Sequence, residues 1–195
     1  LRGGVAVNAH VEGVPLARFL GVEQVVQDLG VGRRALSRAG AAQADDAPRA
    51  RRFHRADLAV QEYLMEAIDR AYPEDGIIAE EQDLHKQPAA GGRLWAIDPI
   101  DGTANFLRGI PLWCVSLGLV YRKAPVIGLI YNPVTDELYA AKRGRGATLN
   151  NSRIKVGTVT RLSEARMGLG FSYRRPVAPH VQAISALLEA HCEYS

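Results

Sequence analysis

The chain has 195 residues, of which 47% are hydrophobic and 23% charged, the composition of an ordinary globular domain. No apolar run approaches the roughly 20 residues that a membrane span needs, and no continuous apolar stretch near Leu1 has the form of a signal peptide. Two cysteines, Cys114 and Cys192, match no zinc or disulfide spacing, so we expect a reducing, cytoplasmic location.

The net charge of +3 conceals an asymmetry along the chain. Residues 31–55 carry seven arginines against two aspartates, a local +5 that leaves −2 for the remainder. Nucleic-acid binding is one reading of such a segment. The segment has no lysine and a single aromatic residue, Phe53, which favours a solvated linker instead. We therefore predict a divergent, Arg-rich, disordered region over residues 1–55 and a globular domain over residues 56–195.

The first clear element is a helix from Asp57 to Tyr72. Apolar residues recur on one side of the helix at helical spacing: Val60, Leu64, Ile68 and Ala71. The segment from Pro73 to Gly76 ends the helix. Asp57 stands where a helix N-cap or first-turn acid belongs. Helix capping and metal binding are both open readings of this carboxylate.

A short strand, Gly76 to Ala79, follows and leads into the acidic pair Glu80 and Glu81. Neighbouring side chains at a strand end point to opposite faces, so only one of the two acids would meet a ligand on a given face. An exposed acidic turn is the alternative. The next residues, 82–92, are predicted as a polar loop.

Two carboxylates separated by a proline, Asp98 and Asp101, follow the apolar strand around Trp95. Pro99 drives Asp98 into an extended conformation, and the chain then turns sharply, so the two carboxylates are able to converge. Hard divalent cations such as Mg²⁺ prefer oxygen ligands of this kind. If Thr103 begins a helical turn, its free amide groups form an anion site beside the carboxylates, and Gly102 allows close approach. The combination indicates phosphate chemistry.

A succession of strands with antiparallel character follows, and then a second helix. The predicted strands are Trp113–Tyr121, Pro125–Tyr131, Leu138–Lys142, Arg153–Val156 and Met167–Phe171, and the predicted helix is Pro176–Cys192. The fold class is therefore α+β. The segment Cys114 to Gly118 lacks the first glycine of a nucleophile elbow and is predicted to be core strand.

The nine residues Asp98-Pro-Ile-Asp-Gly-Thr-Ala-Asn-Phe106 resemble the signature of the inositol monophosphatase family, which are Mg²⁺-dependent, lithium-sensitive phosphomonoesterases. The resemblance extends from about Asp57 to Cys192 and implies the layered αβαβα sugar-phosphatase fold, with its second half incomplete. The chain departs from the family pattern at His54, which stands in a threonine position, and at Ala79, which stands in a glycine position. No segment matches the family's Trp-Asp-x-x-Ala-Gly motif, so the chain as given is expected to be a poor catalyst.

The resemblance also implies roles for individual residues. Glu80, Asp98 and the carbonyl of Ile100 would hold a first Mg²⁺, and Asp98 with Asp101 a second, in a two-metal site. Thr103 and Glu80 would orient the attacking water, and Asp57 would support catalysis and a weaker third metal. Asp101 and the amides of Gly102 and Thr103 would contact the substrate phosphate.

Three functions remain open from the sequence. The first is Mg²⁺-dependent hydrolysis of a small ester such as inositol 1-phosphate by metal-activated water. The second is the same reaction on histidinol phosphate, and the third is a catalytically impaired fragment with a binding role. A small phosphomonoester is the expected partner, and a homodimer is compatible with the family. No membrane and no nucleic acid are expected as partners.

Overall fold

The computed structural model describes residues 10–11, 14–15, 49–79, 82–89, 92–170 and 176–194. The chain forms two compact units, Leu1–Ile154 and Lys155–Ser195. The first unit contains one large sheet with helices, which confirms the α+β class. None of the helices within the described ranges is long and apolar enough to cross a membrane.

The first unit is built on an eight-stranded sheet. Two strands of two residues each, β1 (His10–Val11) and β2 (Val14–Pro15), form a separate antiparallel pair. The strands of the large sheet are β3 (Gly76–Ala79), β4 (Gln82–Lys86), β5 (Arg93–Asp101), β6 (Cys114–Tyr121), β7 (Ala124–Asn132), β8 (Glu137–Lys142), β9 (Gly146–Leu149) and β10 (Ser152–Ile154). Their order in the sheet is β10-β9-β8-β7-β6-β5-β3-β4. Strands β3 and β5 are parallel, and every other neighbouring pair in this sheet is antiparallel.

Helix α1 (Arg49–Ala71) packs on one face of this sheet. Its apolar stripe, which includes Val60, Leu64 and Ile68, is buried against alternate residues of the strands, while Glu62 and Glu66 on the opposite side are exposed. The helix ends at Ala71, one residue before the predicted end at Tyr72, because proline disfavours helical backbone at the residue before it. The core behind it is large, and its strand members include Ile77, Trp95, Ile97, Leu117, Leu119, Ile127, Leu129 and Leu138.

Helix α1 begins eight residues earlier than predicted, at Arg49 instead of Asp57. The prediction placed the start where the apolar period begins, but arginine and alanine before that point have good intrinsic helix propensity and extend the helix. Asp57 consequently lies inside the helix and is not its N-cap. The capping interpretation of Asp57 is wrong, because a cap residue needs non-helical backbone at the helix start.

A buried polar cluster joins the end of α1 to the start of β5. The guanidinium of Arg93 and the indole N–H of Trp95 both donate to the carboxylate of Asp75, each at 2.9 Å, and the ring of Tyr72 lies 5.3 Å below the guanidinium. Asp75 is only 2% exposed, so these bonds satisfy a carboxylate that burial alone would penalise. Burial raises the pKa of Tyr72, with Arg93 opposing and Asp75 reinforcing the rise. The cluster fixes the position from which β5 starts.

The other face of the large sheet is an open groove of about 920 Å³. Small residues on adjacent strands stand opposite one another across its floor, with Ala96 opposite Gly118, Gly118 opposite Gly128, and Gly128 opposite Ala141. Ile78, Ile130 and Tyr139 stand beside this row and are between 37% and 47% exposed. Asp98 and Ser116 lie at one end of the groove.

The second unit contains a short 3-10 turn (Leu162–Glu164), strand β11 (Arg166–Met167), helix α3 (Val177–Glu189) and strand β12 (Glu193–Tyr194), which pairs in parallel with β11. Among the described residues of this unit, Leu187 and Cys192 are buried. Apolar residues along α3 remain largely solvent-exposed, since Val177, Val181 and Leu188 are each more than half exposed.

Two further expectations differ from the structure. Residues 82–86, predicted as part of a loop, form β4, because they pair with the outer edge of β3 and need no apolar pattern to do so. The strand predicted at Met167–Phe171 is reduced to Arg166–Met167, and residues 168–170 have no regular structure. Glycine at 168 and 170 offers no side chain for strand packing, which accounts for the early end.

Candidate metal and phosphate site

Strand β5 carries both signature carboxylates at its C-terminal end. Side chains alternate between the two faces of the sheet from Arg93 to Asp98, and the alternation then breaks, because Pro99 and Ile100 are both buried. The register against β6 shifts at the same point: Asp98 stands opposite Ser116, and Asp101 stands opposite Cys114. This irregularity places two carboxylates at one sheet edge with Asp101 exposed and Asp98 half-buried.

A left-handed glycine turns the chain from β5 into helix α2 (Thr103–Arg108). Gly102 has φ 94° and ψ 35°, and its carbonyl accepts the amides of Asn105 and Phe106 at 2.9 and 3.0 Å. A Cβ at this position would lie 2.9 Å from the carbonyl oxygen of Leu112. The backbone conformation and the space therefore both require glycine. Thr103 is the first residue of α2 and is exposed, so the condition stated from the sequence, that Thr103 begins a helical turn, is met.

A small apolar cluster supports this turn from below. It consists of Ala56 from α1, Ile100 from β5, Phe106 from α2, and Trp113. The rings of Phe106 and Trp113 meet edge to face, with centroids 5.0 Å apart. Because Ala56 belongs to this cluster, its neighbour Asp57, 3% exposed, is carried to the same region of the fold.

The loop that follows α2 is held by side-chain amides. Asn105 donates to the carbonyl of Leu112 at 2.7 Å, and Asn132 at the end of β7 donates to the carbonyl of Pro111 at 3.2 Å. Asn132 also accepts the amides of Val134 and Thr135, at 2.9 and 3.2 Å. The loop beside Gly102 is thereby tied both to α2 and to the β7–β8 turn.

The thiol of Cys114 is influenced by both carboxylates. Its thiol donates to Oδ2 of Asp101 across 3.8 Å. Burial, and then the negative charges of Asp101 and Asp98, raise the pKa of this thiol to about 11. Both carboxylates therefore act on a single point at the first residue of β6. The segment Cys114 to Gly118 lies in strand β6 as predicted, but Cys114 itself is half-buried beside the carboxylates. Only the pairing of β5 with β6 reveals this, because the two residues are thirteen positions apart.

A second buried polar residue, Gln61, lies one helical turn after Asp57 on α1. It is fully buried, and neither atom of its amide group has a hydrogen-bond partner within the described part of the chain. Unsatisfied buried amides are rare and costly. The amino-acid pattern does not predict this feature, because a glutamine in an amphipathic helix is expected on the solvent side.

The predicted ligand set is only partly visible in the structure. Asp98, Asp101 and Ile100 are adjacent at the end of β5, whereas Glu80 lies outside the described residues. Within the described ranges, no three His, Cys, Asp or Glu side chains converge closely enough to hold one metal ion. Two carboxylates and a backbone carbonyl are nevertheless the hard oxygen donors that Mg²⁺ takes. The donor chemistry of the strand end therefore fits such a cation.

Comparison with known proteins places this arrangement in a family. The chain is 38% identical over 134 residues to the protein named Nus factor SuhB from Xylella fastidiosa, covering 68% of this chain and 48% of the relative. It is 40% identical over 120 residues to an inositol-1-monophosphatase from Synechocystis, covering 62% and 42% of the two chains. It is 41% identical over 104 residues to a histidinol-phosphatase from Chlorobaculum parvum, covering 53% and 39%. The chain thus spans less than half the length of these relatives.

Solved structures agree with the sequence comparisons. The extragenic suppressor protein SuhB from Bartonella henselae superimposes with a TM-score of 0.77 at 26% identity, covering 90% of this chain and 69% of that one. Inositol monophosphatase from Anabaena superimposes with a TM-score of 0.66 at 31% identity, covering 88% and 67%. The family model described as the inositol monophosphatase family matches residues 24–194. The chain belongs to the inositol monophosphatase family.

Proposed function

We propose that this chain provides the metal- and phosphate-binding half of a Mg²⁺-dependent phosphomonoesterase. The observation that carries the proposal is the end of β5, where Asp98 and Asp101 precede a left-handed Gly102 and the start of α2. Family membership supports the reaction class, since relatives are named inositol-1-monophosphatase and histidinol-phosphatase. The proposal concerns the whole protein's reaction, to which these residues would contribute.

The residues proposed to hold Mg²⁺ are Asp98, Asp101, the carbonyl of Ile100 and, by resemblance, Glu80. Bound Mg²⁺ supplies a more acidic water and neutralises charge on the phosphate. Because Pro99 and Ile100 are buried and the cluster of Phe106 and Trp113 lies beneath them, the donor atoms are preorganised on packed structure. Preorganised charge is effective because it needs no reorientation during the reaction.

The chain's own groups would bind the phosphate and handle the proton. The amides of Gly102 and Thr103 lie at the exposed start of α2, where a phosphate oxygen can accept them. The hydroxyl of Thr103, with Glu80, would orient the attacking water. Asp57, buried on α1 near the same apolar cluster, would support catalysis and a weaker third metal, a role that remains after the structure removes the capping role.

Inositol 1-phosphate is the substrate we propose first, and histidinol phosphate is the alternative within the same site. A binding role is the second candidate function, because two kinds of relative are named as enzymes while others are named Nus factor. We also propose a reducing, cytoplasmic location, in keeping with two cysteines that are both free thiols.

The test is phosphate release from inositol 1-phosphate, histidinol phosphate and a simple sugar phosphate, with Mg²⁺ and with a chelator. Asp98→Asn should abolish any Mg²⁺-dependent release, whereas Glu62→Gln, an exposed acid on α1, should leave it unchanged. The ester that gives the highest kcat/KM identifies the substrate. Release that survives both the chelator and Asp98→Asn would contradict the proposed site. Because the chain as given is expected to be a poor catalyst, absence of release favours the binding role only if a protein extended through a Trp-Asp-x-x-Ala-Gly segment is also inactive on every ester.

A further inference from the structure

The end of the large sheet opposite to Asp98 and Asp101 is formed by two neighbouring hairpin turns. The β6–β7 turn consists of Arg122 and Lys123, and the β8–β9 turn spans residues 143–145. The amide of Arg143 donates to the carbonyl of Val126 at 3.0 Å, so the second turn lies directly beside the start of β7. Arg153 on β10 reaches the same end, because its guanidinium lies 3.3 Å from the position that a Cβ of Gly146 would occupy.

Six cations meet at this end of the sheet, which we call the basic end: Arg122, Lys123, Lys142, Arg143, Arg145 and Arg153. Residues 110–154 contain only two acids, Asp136 and Glu137, and both lie in or beside the β7–β8 turn at the other end. Within the described part of the chain, the five members other than Arg122 form no ion pair. Across β6 to β10 the cations therefore lie at one end and the acids at the other. Glu74 and Asp75 precede β3 at the same end as the cations, and Asp75 is paired there with Arg93.

The cations are presented on ordered turns. Arg122 and Lys123 have positive φ values of 48° and 64°, the two-residue turn whose twist matches that of antiparallel strands. The second turn is closed by the amide of Arg145, which donates to the carbonyl of Lys142 at 2.9 Å, and Gly144 and Gly146 take its left-handed positions. Little backbone order has to be gained when a partner binds.

The chemistry of the basic end favours phosphate groups spread over some distance. Four of the six cations are arginines, whose planar guanidinium groups bind phosphate through paired hydrogen bonds. The two turns are separated by two strand spacings, about 10 Å, so a single small phosphate would reach only one of them. A polymer of phosphodiesters would engage both turns at once.

Two observations indicate which phosphate-bearing partner fits the basic end: a membrane surface, a single strand or a duplex. The turns, Arg-Lys and Arg-Gly-Arg, carry no apolar side chain that could enter a membrane. The ring of Tyr121 lies under the guanidinium of Arg122, 5.3 Å away, so it is not an open platform for an unstacked base. Single strands gain much of their binding from such platforms, whereas a duplex keeps its bases stacked and offers phosphates alone.

We propose that the basic end binds the phosphate backbone of a nucleic-acid duplex without reading its sequence. The surface is distinct from the proposed metal site, since β5 alone separates the two ends by about 26 Å at about 3.3 Å per residue. With four phosphate contacts, the logarithm of the binding constant should fall with the logarithm of the salt concentration at a slope of about −3.6. The affinity should therefore fall about 10²-fold between about 50 and 200 mM salt. The cations are spread over the 32 residues from Arg122 to Arg153, which is why the charge pattern along the chain did not reveal them.

The test is fluorescence anisotropy of a labelled mixed-sequence DNA duplex of about 16 base pairs, titrated with the full chain in the presence of a chelator. The variant is Arg143→Glu/Arg145→Glu, and its matched control is Arg161→Glu/Arg166→Glu, which changes net charge equally on exposed residues of the second unit. We expect the basic-end variant to lose at least about tenfold in affinity and to show a shallower salt slope, with the control within about threefold of the original chain.

Equal affinity of the two charge-matched variants would overturn the proposal and assign any binding to the arginines of residues 31–55. Tighter binding of a single strand than of the duplex, or binding only to vesicles containing phosphatidylserine, would also overturn it. Thermal unfolding of both variants checks that they fold, and Arg143→Ala/Arg145→Ala replaces the Glu variant if that one does not. Mg²⁺-dependent phosphate release by the basic-end variant should be unchanged, which separates this proposal from that of the catalytic site.

Discussion

At the scale of single residues, Gly102 is the position on which the site depends most directly. The sequence signature predicted its place beside the carboxylates, and the structure adds the physical reason, a left-handed backbone packed against Leu112 and Trp113. Asp98 and Asp101 were likewise predictable, because chemistry and a proline-containing turn are encoded locally. Cys114 and Gln61 were not, because their surroundings are set by strand pairing and by helix packing against the sheet.

Replacing Gly102 with alanine should destabilise the chain by about 1–3 kcal/mol, because the residue must keep a positive φ and its Cβ would collide with the Leu112 carbonyl. Urea unfolding measures this loss. The control is Gly109→Ala, which also has a positive φ of 71° but faces open space. A larger loss at Gly109 than at Gly102 would show that the close approach at Gly102 carries no energetic weight.

Replacement of the buried Gln61 is predicted to maintain or raise stability, in contrast to replacement of Gly102. Because both atoms of its amide are buried without a hydrogen bond, Gln61→Met should leave stability unchanged or raise it by up to about 1–3 kcal/mol. Gln61→Ala, which opens a cavity instead, should cost about 2 kcal/mol or more. Thermal and urea unfolding compare the two. A loss above about 1 kcal/mol in the methionine variant would mean that the amide is satisfied in solution.

At the scale of elements, the strands and helices of the first unit were largely predictable from apolar period. The core strands β6, β7 and β8 and the buried stripe of α1 were anticipated because each buries a face of regular spacing. The misplaced start of α1 and the missed β4 have a common physical origin. Helix propensity and the hydrogen bonds of a neighbouring strand edge can extend regular structure beyond the apolar pattern.

The early start of α1 changes the expected result of limited trypsin digestion. From sequence alone we expected a stable core beginning near Ala56, with cleavage throughout the arginine-rich region. Because the helix begins at Arg49, the bonds after Arg51, Arg52 and Arg55 should resist cleavage while those after Lys155 and Arg161, in exposed irregular backbone, are cut. Mass spectrometry of early fragments measures this. Rapid cleavage within residues 49–55 would show that the stable core begins near Ala56, as expected from the sequence.

At the scale of the whole molecule, the sequence established the fold class but not the arrangement of its surfaces. The order of strands, with β3 parallel to β5 and β4 at the edge, arises because the chain leaves β3 through β4 on one side and returns as β5 on the other, and no local pattern encodes it. The same holds for the open groove and for the basic end. Both surfaces arise from residues that are distant in sequence and adjacent only across the sheet.

The open face of the sheet should promote association of this chain at high concentration. Ile130 and Tyr139 are 47% and 37% exposed beside a floor of small residues, and contiguous apolar surface of this kind promotes protein association. Ile130→Lys should reduce association in sedimentation experiments and weaken binding of a hydrophobic dye. The control Val134→Lys replaces an equally exposed residue of the β7–β8 turn, 48% exposed and outside the groove. Equal effects of both substitutions would show that the chain does not associate through the groove.

The central claim, that the end of β5 holds a divalent cation, is tested most directly by calorimetric titration of the chain with Mn²⁺ and Mg²⁺. Asp98 and Asp101 bring two negative charges to one edge, and like charges held together favour a bound cation. We expect heat of binding for the original chain and for Glu62→Gln, and none for Asp98→Asn, although all three should unfold at similar temperatures. Equal binding by Asp98→Asn and the original chain would contradict the assignment of this site.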